Sequence, residues 1–259
     1  MIKEREWEIP NYCKELLDKV KHLTNKDLSI KEEQLLFDSE VHVARSNEPL
    51  HTLQYSPFYK QHKTHFIVSA SKKIIRMYEV EESERYAPGV ELGRKLPIKE
   101  EQDLERRVGG LQRKDLERLS IFVFHGLARQ VSSMPVDLRV EREISLTLTK
   151  HSDLQRSYLE RQVEDLKPHF LPQVGAFAPS RVYDATSSMN MALALEAADI
   201  SGIEIPRIMS SSKHLQKGRE LVALLRQIQE PGLKGDRKAV DAWASKLELQ
   251  GWYEWIRHV

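Results

Sequence analysis

The segment from Val136 to Thr149 reads VDLRVEREISLTLT and alternates strictly between apolar and polar residues. Its odd-numbered positions are all polar, and its even-numbered positions are apolar except for Arg142. A strand would place these apolar side chains on one face, whereas a helix would spread them over most of its circumference, so the pattern predicts a strand. At this length a strand would span roughly 45 Å, and we expect a break near residues 141–143.

The remainder of the chain is predicted to be mainly helical. Apolar residues recur at helical spacing after Pro10, and further helices are expected from Ile98 and over 114–131, 212–229 and 236–250. Residues 64–80 are rich in β-branched and aromatic residues and indicate a hairpin, with a helix over 72–86 as the alternative. The sequence therefore predicts an α+β fold that is predominantly helical, with a small antiparallel sheet from residues near 50–80 and 136–149 and an all-helical C-terminal part.

Proline and glycine residues interrupt the segment 168–186, which predicts a loop or linker. This divides the chain into an α+β domain over 1–167 and a helical C-terminal region over 187–259, with one continuous domain as the alternative. Ser152 and Gln155 have the spacing of a capping box, and Ser188 is predicted to cap the following helix.

Composition excludes several classes of protein. Forty basic and thirty-nine acidic residues give a net charge of +1, so no overall field favours nucleic acid or a membrane surface. The single Cys13 excludes an intrachain disulfide and a multi-cysteine zinc site. No secretory signal and no apolar run of membrane-spanning length is found. The expectation is a cytoplasmic or otherwise intracellular protein with no membrane partner.

Two pairs of residues that include histidine or serine have spacings known from metal-binding or catalytic sites. His62 and His65 form an H-x-x-H pair, but the glutamate and the third ligand of a zinc-binding helix are missing. The sequence therefore predicts no metal and no cofactor. Instead of metal ligands, these two residues are interpreted as solvated loop histidines. Ser69 and Lys72 have a Ser-x-x-Lys spacing that chance explains. The carboxylates Asp137, Glu141 and Glu143 are predicted to lie on the solvated face of the strand.

Arg118 and His125 are the low-probability catalytic candidates. An arginine followed by a histidine after four to six residues resembles the signature of HEPN-type ribonucleases, and this pair lies on the predicted helix 114–131. The resemblance implies a helical nuclease in which both side chains act on RNA. In this chain a leucine follows Arg118, where that signature has a polar residue. The alternative is that His125 is a core histidine.

The sequence PGLKG near the C-terminus is predicted to form a turn between two helices. Gly232 and Gly235 flank Lys234, and Asp236 can cap a helix whose first turn carries basic residues, where backbone N–H groups favour an anion. The Gly-x-x-Gly spacing resembles the phosphate-clamping loop of KH-type RNA-binding domains, without its Ile-Gly lead-in. Gly235 and Ala239 are similar to the DNA-backbone helix-hairpin-helix, with one extra residue between the small residues. Because these likenesses cover about fifteen residues, they name no family.

The surrounding region carries an excess of basic residues. Between Ile205 and Lys246, nine basic residues stand against four acids, and such a patch can bind phosphates. The candidate nucleic-acid-binding residues are Lys213, Lys217, Arg219, Lys234, Arg237 and Lys238. Trp243, Trp252 and Trp255 could stack on bases, or could pack in the core.

Three functions remain open at this stage. The first is a non-catalytic protein that contacts DNA or RNA through its basic C-terminal helices. The second is a protein-interaction or structural subunit, with a protein partner or a second copy of the chain. The third is a nuclease or other hydrolase that uses Arg118 and His125, or the His62 and His65 pair.

Overall fold

A computed structural model describes residues 9–35 and 37–258. The α-helices are α1 (Asn11–Thr24), α2 (Lys63–Tyr78), α3 (Ile98–Val108), α4 (Arg113–Thr147), α5 (Ser152–Leu166), α6 (Pro172–Phe177), α7 (Ser180–Ser201), α8 (Arg207–Ser210), α9 (Leu215–Gln227) and α10 (Gly232–Lys246). Short 3₁₀ helices cover Pro57–His62, Glu82–Glu84, Thr149–His151 and Lys167–Phe170. The strands are β1 (Asp27–Glu32), β2 (Ser39–His42), β3 (Leu50–Tyr55), β4 (Tyr86–Gly89) and β5 (Glu254–Arg257).

The predicted α+β class with predominantly helical content is confirmed, but most of the residues assigned to the sheet differ. The larger sheet has the order β1-β3-β2, in which β1 runs parallel and β2 antiparallel to β3. The smaller sheet pairs β4 with β5, so the C-terminal region is helical up to Lys246 and ends in a strand. Of the residues expected in the sheet, 50–55 alone form a strand, and they lie at its centre.

The strand predicted for 136–149 is wrong, because these residues belong to α4 up to Thr147 and to the start of a 3₁₀ helix at Thr149. Residues that are four apart in the sequence lie on the same side of a helix and form a row along it. Two such rows that are offset by two residues together occupy every even-numbered position of this segment. Val140 and Ile144 belong to one row and pack with Cys13 and Val68. Leu138 belongs to the other row and packs in the main core. Two helical rows thus imitate the alternation of a strand.

Pro135 lies inside α4 and is buried. A proline in a helix interior lacks the N–H that would bond to the carbonyl four residues earlier, which costs about 3 kcal/mol in an isolated helix. The apolar side chains on both sides of Pro135 are buried in the core, including Val131 and Leu138. This burial offsets the cost and allows α4 to continue through the proline to 35 residues.

The hairpin predicted for 64–80 is also wrong, since residues 63–78 form α2. His65, Phe66, Ile67 and Val68 are all buried, so this helix contacts other elements on nearly every side. A helix that is buried on nearly all sides has no solvent-exposed face, so the 3.6-residue alternation of apolar and polar residues is weak.

Residues 168–186 are largely helical rather than a loop, because α6 and the start of α7 lie there. Ser188 lies inside α7 and is not its cap, although α7 does end at Ser201 before Gly202, which has a left-handed conformation with φ 67°. Ser152 is the first residue of α5, and its side chain makes no capping bond. The division into two domains stays a prediction, while the main core contains residues from Leu53 to Tyr253.

The core interpretation of the tryptophans is confirmed for two of the three. Trp243 is fully buried and donates from Nε1 to the carbonyl oxygen of Leu221 at 3.0 Å. Trp252 is buried and stacks on Phe124 with 4.7 Å between ring centroids. No helix within residues 9–35 and 37–258 is both long and apolar enough to cross a membrane.

Candidate functional site

A cleft with two connected chambers lies between the sheet and the central helices. The inner chamber has a volume of about 130 Å³ and the outer chamber about 510 Å³, and both are lined by Asp38, Lys73, Ser133 and Asp137. The outer chamber has mainly apolar walls, with Phe37, Val41, Met77, Met134, Leu233 and Trp255 among them. The inner chamber also contacts His65, Ser69, Glu141 and Tyr158. An apolar cleft that ends in convergent polar groups is the usual form of a small-ligand site.

Helical spacing brings the polar residues of the inner chamber together. On α2, His65, Ser69 and Lys73 follow each other at intervals of four and therefore share one face. On α4, Ser133, Asp137 and Glu141 do the same. From α5, Tyr158 and Gln162 complete the chamber, and Asp38 joins it from the loop before β2. Three helices thus each direct one polar face to the same point.

Lys73 and Asp137 form an ion pair at the boundary of the two chambers. Lys73 Nζ lies 2.6 Å from Asp137 Oδ1, and the two side chains are 27% and 42% exposed. Burial in the cleft raises the pKa of Asp137 although Lys73 opposes this, and the nearby Asp38 and Glu141 add to it. Burial lowers the pKa of Lys73, but the Asp137 carboxylate outweighs this and the net shift is upward. Asp137 lines both chambers, and its Oδ2 accepts no hydrogen bond from the described residues.

Asp38 is held at the other side of the inner chamber by three donors. Its Oδ2 accepts hydrogen bonds from the hydroxyl of Tyr158 and from Gln162 Nε2, the latter at 3.1 Å, and its Oδ1 accepts from the backbone N–H of Ser39 at 2.6 Å. Burial, together with the charge of Asp38, raises the pKa of Tyr158 far above its usual range, which keeps the hydroxyl protonated as a donor.

A chain of buried side chains supports the inner chamber from behind. His65 Nε2 lies 3.0 Å from Glu141 Oε1, and His65 Nδ1 lies 3.0 Å from His151 Nε2. His151 Nδ1 lies 3.0 Å from the hydroxyl of Tyr12, which is partly exposed. Gln155 Nε2 donates to Glu141 Oε2 at 2.8 Å. Both nitrogens of His65 are therefore occupied, and this histidine positions Glu141 rather than reaching a ligand.

Charges along this chain follow from burial and hydrogen bonding. Burial lowers the pKa of His151 to about 4, so this imidazole is neutral at pH 7. Burial raises the pKa of Glu141, but the bonds from His65 and Gln155 outweigh it and the net shift is downward. Glu141 is therefore an ionised acceptor. If His151 Nε2 donates to His65 Nδ1, all three bonds have the same direction, from the Tyr12 hydroxyl through both imidazoles to the Glu141 carboxylate.

His62 and His65 are not solvated loop residues, because both are buried. His62 ends a 3₁₀ helix and lies edge-on to Tyr158 with 5.6 Å between ring centroids. Burial lowers the pKa of His62. Over residues 9–35 and 37–258, no group of three or more histidine, cysteine or acidic side chains is arranged to hold a metal ion.

Arg118 and His125 do not come together in a common site. Both lie on α4, seven residues apart, which is about 10 Å along a helix axis. Arg118 is exposed and lies 3.9 Å from Asp115, while His125 is partly buried beside Phe124. Neither residue lines the cleft. A catalytic role for this pair stays a prediction.

The PGLKG segment is not a loop between helices, because α10 begins at Gly232 and contains both glycines. A Cβ on Gly235 would lie 1.9 Å from the carbonyl oxygen of Glu230, so glycine is required here by close packing. Asp236 is not a cap but a buried partner of Arg76 and Arg139, whose nitrogens lie 2.5 and 2.9 Å from its Oδ1. The likeness to a phosphate-clamping loop therefore does not extend to the backbone.

Several of the candidate nucleic-acid-binding residues are paired with acids. Lys213 lies 2.9 Å from Asp184, Lys234 lies 2.8 Å from Glu84, and Lys238 contacts Glu230. Arg237 covers the rings of Tyr86 and Trp255, with its guanidinium 4.6 and 5.2 Å from their centroids. Lys217 and Arg219 have no carboxylate partner in the part of the chain that the structure describes. Acids from outside the region thus offset much of its local charge.

The residues of the cleft were not grouped from the sequence. The strand interpretation placed Asp137, Glu141 and Glu143 on one solvated face, whereas in α4 Asp137 and Glu141 face the cleft and Glu143 faces Lys72 and Arg76 on another side. The spacing of four from Ser133 to Glu141 and from His65 to Lys73 is the signal that would have revealed the site.

Comparison of the chain with protein-family models, with curated proteins and with solved structures returns no match.

Proposed function

We propose that the cleft is an active site that binds an organic ligand and performs acid–base chemistry on it, with hydrolysis as the reaction class. The observation that supports this is the convergence of Asp38, Lys73 and Asp137 at the closed end of an apolar cleft. Titratable groups with shifted pKa values in a cleft are typical of active sites. The volume of the outer chamber, about 510 Å³, is also in the range of small-ligand sites, roughly 300 to 1,000 Å³.

Asp137 is the proposed proton-transfer group. Its Oδ2 is free of hydrogen bonds from described residues, and burial raises its pKa, which strengthens a carboxylate as a base. In hydrolysis it would take a proton from an attacking water molecule. The catalytic gain from such a group is typically 100- to 10,000-fold, on the order given for general acid–base catalysis.

Lys73 and Asp38 are assigned complementary roles. The pKa of Lys73 is raised, so its ammonium stays charged and would stabilise negative charge that develops on the substrate. Asp38, held by Tyr158 and Gln162, would orient a polar group of the ligand. Ser69, four residues before Lys73, adds a hydroxyl for which no described residue is a hydrogen-bond partner.

Hydrolysis of chromogenic esters, amides and phosphodiesters by the purified protein tests this proposal. We expect turnover of at least one class, a loss of 100-fold or more in kcat/KM for Asp137→Asn, and little change for Asp115→Asn, an exposed aspartate on the same helix. The proposal is contradicted if every class is left intact, or if Asp137→Asn keeps full activity while folded.

Contact with nucleic acid through α9 and α10 is retained as a second candidate. Lys217 and Arg219 support it, since neither has a carboxylate partner among the described residues and Arg219 is exposed. Replacing both with alanine should weaken binding of a DNA or RNA oligonucleotide at every sequence and reduce the salt dependence of the binding constant. If the protein binds no oligonucleotide at low salt, the proposal of nucleic-acid contact through α9 and α10 is wrong.

A further inference from the structure

One wall of the outer chamber is the unpaired edge of a β-sheet. The order β1-β3-β2 leaves β2 with no strand on its outer side in the described part of the chain. Ser39, Glu40 and Val41 from this strand line the outer chamber, and Tyr86, Pro88 and Trp255 of the β4–β5 sheet also line it. The chamber therefore runs along a strand edge rather than across a closed surface.

The register of the sheet identifies which backbone groups face the chamber. Ser56 N–H donates to the carbonyl of Asp38 at 2.8 Å, so residues 38 and 56 form a hydrogen-bonded pair. In an antiparallel ladder such pairs alternate, and the pairs Ser39–Tyr55 and Val41–Leu53 are therefore not hydrogen-bonded to each other. The N–H and C=O groups of Ser39 and Val41 thus point away from β3, towards the free edge.

These outward groups lack partners apart from one. The N–H of Ser39 is taken by Asp38 Oδ1 at 2.6 Å. The N–H and C=O of Val41 and the C=O of Ser39 make no hydrogen bond to any described residue. A donor and two acceptors at alternate residues are the pattern that an added strand requires.

We propose that the ligand of the cleft is a polypeptide segment in extended conformation, which adds to the edge of β2 as a further strand. This inference rests on the proposed function and names its substrate class. Main-chain hydrogen bonds to Ser39 and Val41 would fix the register, and alternate side chains of the peptide would enter the apolar walls at Met77, Met134 and Leu233. Because β2 has four residues, the contact covers about 13 Å of peptide.

The edge continues directly to the proposed catalytic groups. Ser39 lines both chambers, and the neighbouring Asp38 lies at their boundary with Asp137. A peptide bonded to Val41 and Ser39 would therefore extend its next residue towards the Lys73–Asp137 pair. At the closed end, the acids Asp38 and Asp137 are close to one base, Lys73. Near the strand edge, Glu40 forms an ion pair with Arg129 at 3.2 Å. We therefore expect recognition to depend on main-chain and apolar contacts more than on charge.

A pool of acetylated, amidated hexapeptides with apolar residues at alternate positions tests the inference, with binding measured by NMR on the full chain. Val41→Pro removes the outward N–H without removing a bond to β3, and proline is tolerated at such edge positions. Val41→Ala is the matched control, since it shortens the side chain and keeps the N–H. We expect about tenfold weaker binding for Val41→Pro, the size of one lost hydrogen bond, and at most a small change for Val41→Ala.

Amide hydrogen exchange of the unaltered protein gives a second measurement that does not depend on the folding of a variant. Saturating peptide should slow exchange at Val41 more than at Glu40, whose N–H already faces β3. Equal peptide binding by Val41→Pro, or an unprotected Val41 amide, overturns the inference. Turnover of small chromogenic substrates without peptide binding overturns the peptide inference alone, and the absence of both overturns the proposed function as well.

Discussion

Helices α2 and α4 carry two neighbouring ion clusters, and the two differ in how completely their atoms are bonded. The structural cluster consists of Lys72, Arg76, Arg139, Glu143 and Asp236. The cleft cluster consists of Asp38, Lys73 and Asp137. Lys72 and Lys73 are adjacent in the sequence, yet one belongs to each cluster because consecutive helical residues point about 100° apart.

In the structural cluster, Arg76 is fully engaged. Its Nε and Nη2 bind Glu143 at 3.0 and 2.6 Å, and its Nη1 binds Asp236 at 2.5 Å. Arg139 adds bonds to Asp236 and to the carbonyl oxygens of Ile228 and Glu230. These bonds connect α10 to α2 and α4. The cleft cluster instead leaves one carboxylate oxygen of Asp137 open to a chamber. The comparison indicates that full bonding marks a structural role, and an open polar atom in a cleft marks a functional one.

The largest expected effect on stability is in the structural cluster. Asp236→Asn should lower the free energy of unfolding by about 3 to 5 kcal/mol, because it removes the buried carboxylate that Arg76 and Arg139 share and leaves Arg76 with Glu143 alone. Chemical denaturation measures this. Asp27→Asn, which affects the exposed pair with Lys21, is the control and should change stability by less than about 1 kcal/mol. A similar small loss for Asp236→Asn would remove the distinction between the clusters.

The second-largest effect on stability is expected at Gly235, which packs against the hydrogen bond from Arg139 to the carbonyl oxygen of Glu230. Gly235→Ala should destabilise the protein by about 1 to 3 kcal/mol, since its Cβ would overlap the Glu230 carbonyl oxygen and Arg139 Nη2, at 1.9 and 2.3 Å. Gly126→Ala is the matched control in α4, because nothing lies within 4 Å of the added carbon. This control should stabilise the protein by up to about 1 kcal/mol. Thermal unfolding of both variants would show opposite shifts in Tm, and shifts of the same sign would contradict the packing argument.

The hydrogen-bond chain behind the inner chamber predicts a pH dependence. Burial lowers the pKa of His151 to about 4 in the folded protein, and also that of His51 to about 4. Between about pH 6.5 and pH 4 the unfolded chain binds protons that the folded one does not, so stability is full above this window and falls as the pH is lowered through it. The loss per histidine is about 1.4 kcal/mol per pH unit at most.

Denaturation at pH 7 and pH 5 should therefore show a clear loss of stability at the lower pH. His151→Gln should reduce the difference, because glutamine keeps hydrogen-bonding capacity but does not titrate. An unchanged pH dependence in this variant would mean that His151 is protonated in the folded state.

The smallest expected effect on stability is in the cleft cluster. Asp137→Asn should change the free energy of unfolding by less than about 1 kcal/mol, because the pair with Lys73 is partly exposed and burial already disfavours the charged carboxylate. Chemical denaturation beside Asp236→Asn checks this. If Asp137→Asn is as destabilising as Asp236→Asn, the cleft cluster also has a structural role.

The sequence predicted the helices that have one apolar face and the first half of α4, and it missed α2 and the second half of α4. Helices α1, α3 and α5 alternate buried and exposed sides, and their positions were predicted closely. Helix α2 is buried nearly all round, and the second half of α4 has two apolar rows offset by two residues, so both segments gave strand-like patterns. The site was missed for the same reason, since most of its polar residues lie on these two segments.

Arg142 illustrates what the local pattern could and could not provide. It interrupts the apolar positions of 136–149, and in a continuous element a charged side chain on this face needs a carboxylate or a ligand as its partner. In α4 it contacts Glu196 and lies 2.5 Å from Asp199, both on α7. The need for a partner was therefore visible in the sequence. Its identity depended on a helix more than fifty residues later, which no local pattern could indicate.

Mapping of bound fragments on the isotope-labelled protein tests the central claim most directly. A second cavity of about 410 Å³ lies beside the structural cluster and is lined by Arg142, Leu146 and Arg226, so the protein contains its own comparison site. We expect a library of small organic fragments to shift the amide signals of Ser39, Val41, Ser133 and Asp137 along the cleft. Shifts confined to residues 225–232 beside the second cavity would contradict it.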